Sequence, residues 1–401
     1  MAMQVALTTV AAAAVLAVVA SGCDPAGTEP PDPGTPVTLP AATGWDSVRR
    51  APVSPQFSRH DDVAFISPSR GWLVNVRGEI HRTDDGGATW FLIYQQANTF
   101  FRSVGFATDL RGWVGNLNWF NAPLPDNALY ATTDGGSTWQ NITSQVSGPE
   151  PVGICGLQVY DAATIFAVGR WNGPAVFVRS LDSGATWQSL DLAPYATGLV
   201  DVHFFSRTRG VAVGGLGVGN SREAMLSSRT VVMLTEDGGD TWTPRYTSAT
   251  TGKWAWKISF PTPDTGYVST QGLTGDGIVL KSTDGGLTWQ ELQVGAAMGF
   301  SGIGFVTAQI GWVASDTVAY QTTNGGTTWE AVTLGSSVNR FRFLSPVSGY
   351  AVGRAVYRFS GSVPLQGPDD WASLARVAMG GERLARARAV RQRRTRVPES
   401  I

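Results

Sequence analysis

Seven times along this chain an apolar-x-apolar triplet is followed, at a fixed interval, by a second hydrophobic strand start. The triplets carry Val63/Phe65, Val104/Phe106, Leu157/Val159, Val202/Phe204, Ile258/Phe260, Ile303/Phe305 and Phe341/Phe343. Seven residues after the second member of each stand Trp72, Trp113, Phe166, Val211, Tyr267, Trp312 and Tyr350, and glycine precedes six of these. Unrelated segments do not keep one spacing seven times. The chain is therefore a repeat array of seven units, and its 401 residues need not divide into two or three domains.

A second motif punctuates the array. The pattern [S/T]-x-D-x-G-x-T-W ends at Trp90, Trp139, Trp187, Trp242, Trp289 and Trp329, with spacings of 49, 48, 55, 47 and 40. Such spacings have the size of a propeller blade. Alternating apolar and β-branched residues on either side predict four short strands per unit: the "VxF" strand, the "GWxxG" strand, an "ILKST" type strand and one that begins at "TW". Four antiparallel strands repeated radially make a seven-bladed β-propeller, an all-β fold. The seventh unit stops at residues 350–360, one strand short. The segment "TGWDSV", residues 43–48, supplies that strand, with Trp45 in place of a motif Trp. An N-terminal strand that closes the last blade removes two sheet edges.

Six copies of one motif around a ring cannot converge on one site. Asp85, Asp134, Asp182, Asp237, Asp284 and Asn324, which occupy the aspartate slot, are expected to be turn builders. The carboxylate accepts backbone N–H groups, the glycines take positive φ, and the Thr hydroxyl bonds back to the loop. The Trp is expected to lie flat against the neighbouring sheet. A calcium loop needs several carboxylates at alternating positions, whereas these turns mostly offer one.

The flanks read differently. An apolar stretch over residues 5–20 and then Ala20-Ser21-Gly22-Cys23 read as a lipoprotein signal, residues 1–22, cut before a lipidated Cys23. The first ten residues contain no Lys or Arg, so an uncleaved N-terminal membrane helix is the competing reading. Either places the body in the cell envelope, outside the cytoplasmic membrane. Residues 23–42 are Pro-rich and read as a tether, and residues 43–361 form the propeller. Residues 362–401 carry a net +4 in an Arg-rich tail, helical in part or disordered, against −5 elsewhere. The near-zero total charge argues against a nucleic-acid partner. Cys155 then has no partner and is expected to be a small buried hydrophobe.

Here the chain resembles the photosystem II stability and assembly factor family. "GWLVN", "GWVGN", "GWVAS" and "GYAVG" are paired with "TDDGGATW", "TTDGGSTW" and "STDGGLTW" across residues 43–360. The turn motif itself is similar to the Asp box of sialidases, xyloglucanase-type glycosidases and sortilin-type receptors. The family resemblance implies a lipid-anchored propeller that binds an assembling membrane subunit without catalysing a reaction. A monomer with a protein partner, no cofactor and no metal is expected. The alternative is a glycan-binding or glycan-hydrolysing propeller, with Asp201, Asp264 and Asp316 as candidate acids. His60, His81 and His203 are not spaced as metal ligands.

Loop lengths locate the expected partner site. The turns that carry the aspartate motif and the turns after the first strand share one face. Length variation is confined to the opposite face, in "NLNWFNAPLPDNA" and "GGLGVGNSREAMLSSRT". On that face Trp119, Phe120, Arg170, Trp171, Asn172, Arg222, Lys253, Trp254 and Trp256 are expected to form an exposed aromatic and cationic docking surface.

Overall fold

A computed structural model describes residues 43–361, apart from 56–57, 118–126, 276 and 298. The signal, the tether, Cys23, the Arg-rich tail, Trp119 and Phe120 lie outside the described residues. Seven antiparallel sheets follow one another in chain order, as the repeat arithmetic predicts. Blade 1 is His60–Phe65, Gly71–Asn75, Glu79–Thr83 and Phe91–Gln95, from the axis outward. Blade 7 consists of Arg340–Ser345, Ser348–Val352 and Val356–Phe359, and its outer strand is Trp45–Ser47. Trp45 pairs with Phe359, Asp46 with Arg358 and Ser47 with Tyr357. The ring is thus closed by the two ends of the repeat array.

The seven-residue interval has a mechanical reason. The aromatic that starts the second strand of one blade stacks on the second apolar residue of the next blade's inner strand. Trp72 lies on Phe106 at 3.6 Å between ring centroids, Phe166 on Phe204 at 3.5 Å and Tyr267 on Phe305 at 3.5 Å. Tyr350 on Phe65, at 4.3 Å, carries the contact from blade 7 back to blade 1. The polar tips are used as well: Trp72 Nε1 donates to the Gly135 carbonyl of the next blade's turn, and the Tyr350 hydroxyl donates to that of Gly86. Buried Trp and Tyr rings thereby keep their hydrogen bonds.

Motif tryptophans meet an aromatic ring of their own blade at its edge. Trp90, Trp139, Trp242 and Trp329 stand edge-on to Phe65, Phe106, Phe204 and Phe305 at 82°, 87°, 88° and 88°. Those phenylalanine faces are already occupied by the inter-blade stack, so the indole meets an edge. Trp45 takes the same place in blade 7, packed on Trp312, Phe341, Phe343 and Phe359. Blade 3 departs from the four-strand pattern: Val146–Ser147 adds in parallel outside Trp187–Asp191 and straps blade 2 to it.

Candidate functional site

The six turns account for themselves. In the second, Asp134 Oδ1 accepts from Thr132 Oγ1 at 2.8 Å and Thr138 N at 2.9 Å, and Oδ2 accepts from Thr138 Oγ1 at 2.6 Å. Gly136 N donates to Thr132 Oγ1, and Trp139 Nε1 donates to the Gly136 carbonyl. Gly135 and Gly136 have φ of 77° and 92°, where a side chain is strained. Asp85, Asp182, Asp237 and Asp284 repeat the arrangement, and Asn324 approximates it. The carboxylates are spent on their own loops. Each turn is also tied to the first turn of its own blade, as in Gly135 N to the Leu110 carbonyl, so these two sets of loops share a face.

Individuality lies on the axis. The residue just before each apolar pair is Asp62, Ser103, Gly156, Asp201, Lys257, Gly302 or Arg340. Arg340 spans two blades: Nη1 and Nη2 hold Asp201 at 2.7 and 3.0 Å, and Nε holds Asp62 at 3.1 Å. All three side chains are buried. Asp62 also takes Arg342 at 3.3 Å. One position earlier, Asp61 binds Arg59 at 2.7 Å and Arg102 at 2.9 Å. Burial works to raise the Asp201 carboxyl, but Arg340 and Lys257 overcome it and hold it below the usual carboxylate range. Burial likewise opposes Asp61, and Arg102 and Arg59 outweigh it.

These side chains also finish the inner edges of the sheets. An innermost strand has N–H groups with no strand beyond them. Asp62 Oδ2 accepts from Val104 N, Gln158 Oε1 from Phe204 N, Asp201 Oδ2 from Ile258 N and Ser259 Oγ from Phe305 N. Blades 1, 3, 4 and 5 thus cap their successors, which satisfies donors that the sheet leaves over.

Below this network, toward the turn face, the axis widens into a funnel of about 340 Å³. Gln158, His203, Ser259 and Arg342 line it among Ala64, Val159, Phe260 and Leu344. The opposite end is filled. Leu117, Cys155, Val200, Val218, Trp254 and Trp256 form a buried cluster with Phe100 and Trp171 packed against it. Trp256 Nε1 donates to Asn339 Oδ1 at 2.9 Å, Asn339 Nδ2 donates to the Asp61 carbonyl, and the Arg102 guanidinium lies 5.0 Å from the Trp256 ring centroid.

Three residues expected to be exposed are therefore core. Lys253, Trp254 and Trp256 are buried, because the innermost strand of blade 5 is Lys253–Ser259 and its upper end fills the axis. Seven blades leave a central space that no single small side chain closes, and large rings close it. Arg170, Trp171 and Asn172 are half-buried around this plug. Trp171 stacks over Trp254 at 6.1 Å, Arg170 Nε donates to Asn172 Oδ1 at 2.7 Å, and Asn172 Nδ2 donates to Asn220 Oδ1 at 2.6 Å. Arg222 is exposed on the helix Arg222–Ser227, which Ser221 caps from within the blade 4 insertion. The expected surface is thus split into a plug and a smaller rim. Cys155 is buried, as expected, with its thiol beside Arg102.

Such a ring, with its turns structural and its axial carboxylates paired, defines a seven-bladed propeller with no unspent acid pair on its described axis. Comparison with known proteins agrees with the resemblance read from the repeats. Residues 41–169, from the closing strand into blade 3, match the family described as "Photosynthesis system II assembly factor YCF48". The chain is 30% identical over 161 residues to "Photosystem II assembly lipoprotein Ycf48" of Synechococcus sp. (strain CC9902). That match spans 39% of this chain and 44% of the relative's length. Among solved structures, "YCF48 bound to D1 peptide" superposes with a TM-score of 0.59 at 22% identity, over 82% of this chain and all of the other. YCF48 from Cyanidioschyzon merolae gives 0.57 at 19%, over 79% of this chain and 99% of the other. An ancestral GH74 enzyme gives 0.55 at 12%, over 82% of this chain and 47% of the other, a likeness of fold alone. The chain resembles photosystem II assembly factors in sequence through blades 1 and 2 and in fold throughout the ring.

Proposed function

We propose that this protein is a non-catalytic scaffold, lipid-anchored at Cys23 outside the cytoplasmic membrane, that holds a protein segment of a membrane or envelope complex during assembly. The similarity to assembly factors supports the class of function, and a peptide-bound relative supports a protein ligand. The observation that carries the reading to a place on this chain is the rim around the axial plug. There a half-buried Trp171 is flanked by Arg170 and Asn172, with Arg222 exposed on the neighbouring insertion. Aromatic and guanidinium groups on a rigid base are what protein interfaces concentrate. The base is rigid because Trp254 and Trp256 are core. Trp119 and Phe120, expected from the sequence to join this surface, lie outside the described residues. The aspartate turns are Asp boxes in a structural sense and take no part.

Paired engagement of Asp201 by Arg340 disfavours the hydrolase alternative, since a carboxylate bound at both oxygens is a poor general acid or base. The test uses the full chain with its anchor, purified from native membranes with its partner. Trp171→Ala combined with Arg222→Ala should abolish co-purification while the melting temperature holds. Capture that survives the pair overturns the site. Turnover of a fluorogenic glycoside panel, lost on a single carboxylate change, overturns the function. Cys23→Ala should release the protein from membranes, because a tether without the acyl chains has little apolar surface.

A further inference from the structure

Lys257, in the innermost strand of blade 5, has no accessible surface, and among the described residues its ammonium meets no hydrogen-bond or ion-pair partner. It is coupled electrostatically to Arg340, Asp201, Arg102 and Asp62, which belong to blades 7, 4, 2 and 1. A group on blade 5 that feels four other blades at once lies at the axis. The carboxylates there are already committed: Asp201 to Arg340 and Ile258 N, Asp62 to Arg340, Arg342 and two backbone N–H groups, Asp61 to Arg59 and Arg102. Arg102 spends Nη1 on Asp61, which leaves Nε and Nη2 beside the Cys155 thiol. Cations therefore outnumber carboxylates along the described axis, and Lys257 is the cation among them that touches no carboxylate.

A buried charge without a counter-charge is costly, and an orphaned buried donor marks either a neutral group or a site for water or an ion. We propose that the axis holds one small inorganic anion of chloride size against the Lys257 ammonium, with Nε and Nη2 of Arg102, which meet no carboxylate, as further donors. The funnel supplies the entrance, and Arg342, one-third exposed there, supplies an attracting charge at its floor. Burial lowers the Lys257 ammonium to about 7, with Arg340 adding to the effect, and a bound anion would counter both. Bound at the centre, the ion ties blades 5 and 2 through their inner strands and serves stability of the ring, independently of any partner on the rim.

The experiment compares melting of the wild-type chain in chloride, bromide and gluconate at one ionic strength. A ligand that binds only the folded state raises the melting temperature with concentration. Halide should raise it by a few degrees over gluconate, and Lys257→Met, a neutral chain of similar length, should lose that increment. Equal melting of the wild type in all three salts overturns the proposal. So does an undiminished halide increment in Lys257→Met, which places the ion elsewhere. If that variant does not fold, crystals of the wild type grown in bromide decide: an anomalous peak on the axis beside Lys257 supports the site, and its absence leaves a neutral or hydrated lysine.

Discussion

The turn face and the axis are built from equivalent positions of the same seven units, yet they obey opposite rules. At the turns six copies are almost alike, five closed on an aspartate carboxylate and the sixth on Asn324, each with its own hydroxyls. On the axis the units diverge: Asp62, Ser103, Gly156, Asp201, Lys257, Gly302 and Arg340 occupy one position, only Asp and Gly recurring, and the charged ones depend on partners several blades away. Repetition marks what each blade needs for itself. Divergence at a repeated position marks what the ring does as a whole.

The contrast is tested most severely at Arg340. Replacing it with Met leaves Asp201 and part of Asp62 buried without their main counter-charge. Breaking a buried pair by removing one partner costs about 3–5 kcal/mol. Chemical denaturation should show a loss of that size, and Arg340→Met with Asp201→Asn should lose far less than the sum of the two. A loss no larger than that of a single turn variant would erase the distinction between the two regions.

A smaller effect follows from His60, at the upper end of the same network. Its Nε2–H donates to the Pro52 carbonyl at 3.0 Å, and its buried Nδ1 has no partner. Burial lowers it to about 4 from 6.5. The unfolded chain therefore binds the proton first as pH falls. Stability is full above about 6.5 and declines as the pH drops toward about 4. The decline attributable to this residue is on the order of 3 kcal/mol. Urea denaturation across that range should show it, and His60→Gln should flatten the slope, leaving the parts that His203 and His81 contribute. An unchanged slope would remove His60 from the account.

The turns should behave as independent parts. Asp134→Ala removes an acceptor of three hydrogen bonds at an exposed loop and should cost about 1 kcal/mol. Asp134→Ala and Asp284→Ala should add to within ~0.5 kcal/mol, as separated sites do. Strong coupling between them would mean that the turn face, too, is a network.

The ring was legible because its contacts recur. A stack such as Trp72 on Phe106 imposes one interval in every unit, so the sequence repeats it. The missing seventh Trp pointed to Trp45 by subtraction. The axis was less legible because a charged residue beside an apolar pair looks, in one strand, like the ordinary alternation of a half-exposed edge. Only when the seven units are superposed on their apolar pairs do Asp62, Asp201, Lys257 and Arg340 fall into one layer and oppose one another. Trp254 and Trp256 misled for a related reason. Beside Lys253 and Lys257 they have the composition of an exposed hot spot, and nothing within blade 5 says that the other blades leave a space for them to fill.

The finest comparison is inside the turn face itself, at Asn324. Its Oδ1 accepts from Thr328 N at 2.9 Å and Thr322 Oγ1 at 3.0 Å, as the aspartates do. Its second arm is reversed: Nδ2 donates to Thr328 Oγ1 at 2.8 Å, where the carboxylates accept from the hydroxyl at 2.6 Å in Asp134 and Asp284. In Asn324→Asp the hydroxyl must rotate and donate, and the bond becomes charge-assisted. The site is exposed, so the gain at neutral pH should be only ~0.5 kcal/mol. Its pH dependence identifies it. The Thr138 hydroxyl and backbone bonds lower Asp134 from 3.8 to about 2, and Asp237, against an opposing burial effect, also lies at about 2. A carboxyl lowered in the folded state contributes above its unfolded value and loses that contribution as pH falls through its folded one. The melting difference between Asn324→Asp and wild type should therefore be positive at neutral pH and shrink as pH falls below about 3.8. A difference that persists undiminished into acid would trace the gain to something other than the carboxylate, and no difference at any pH would show that the amide serves this turn as well as the acid serves the other five.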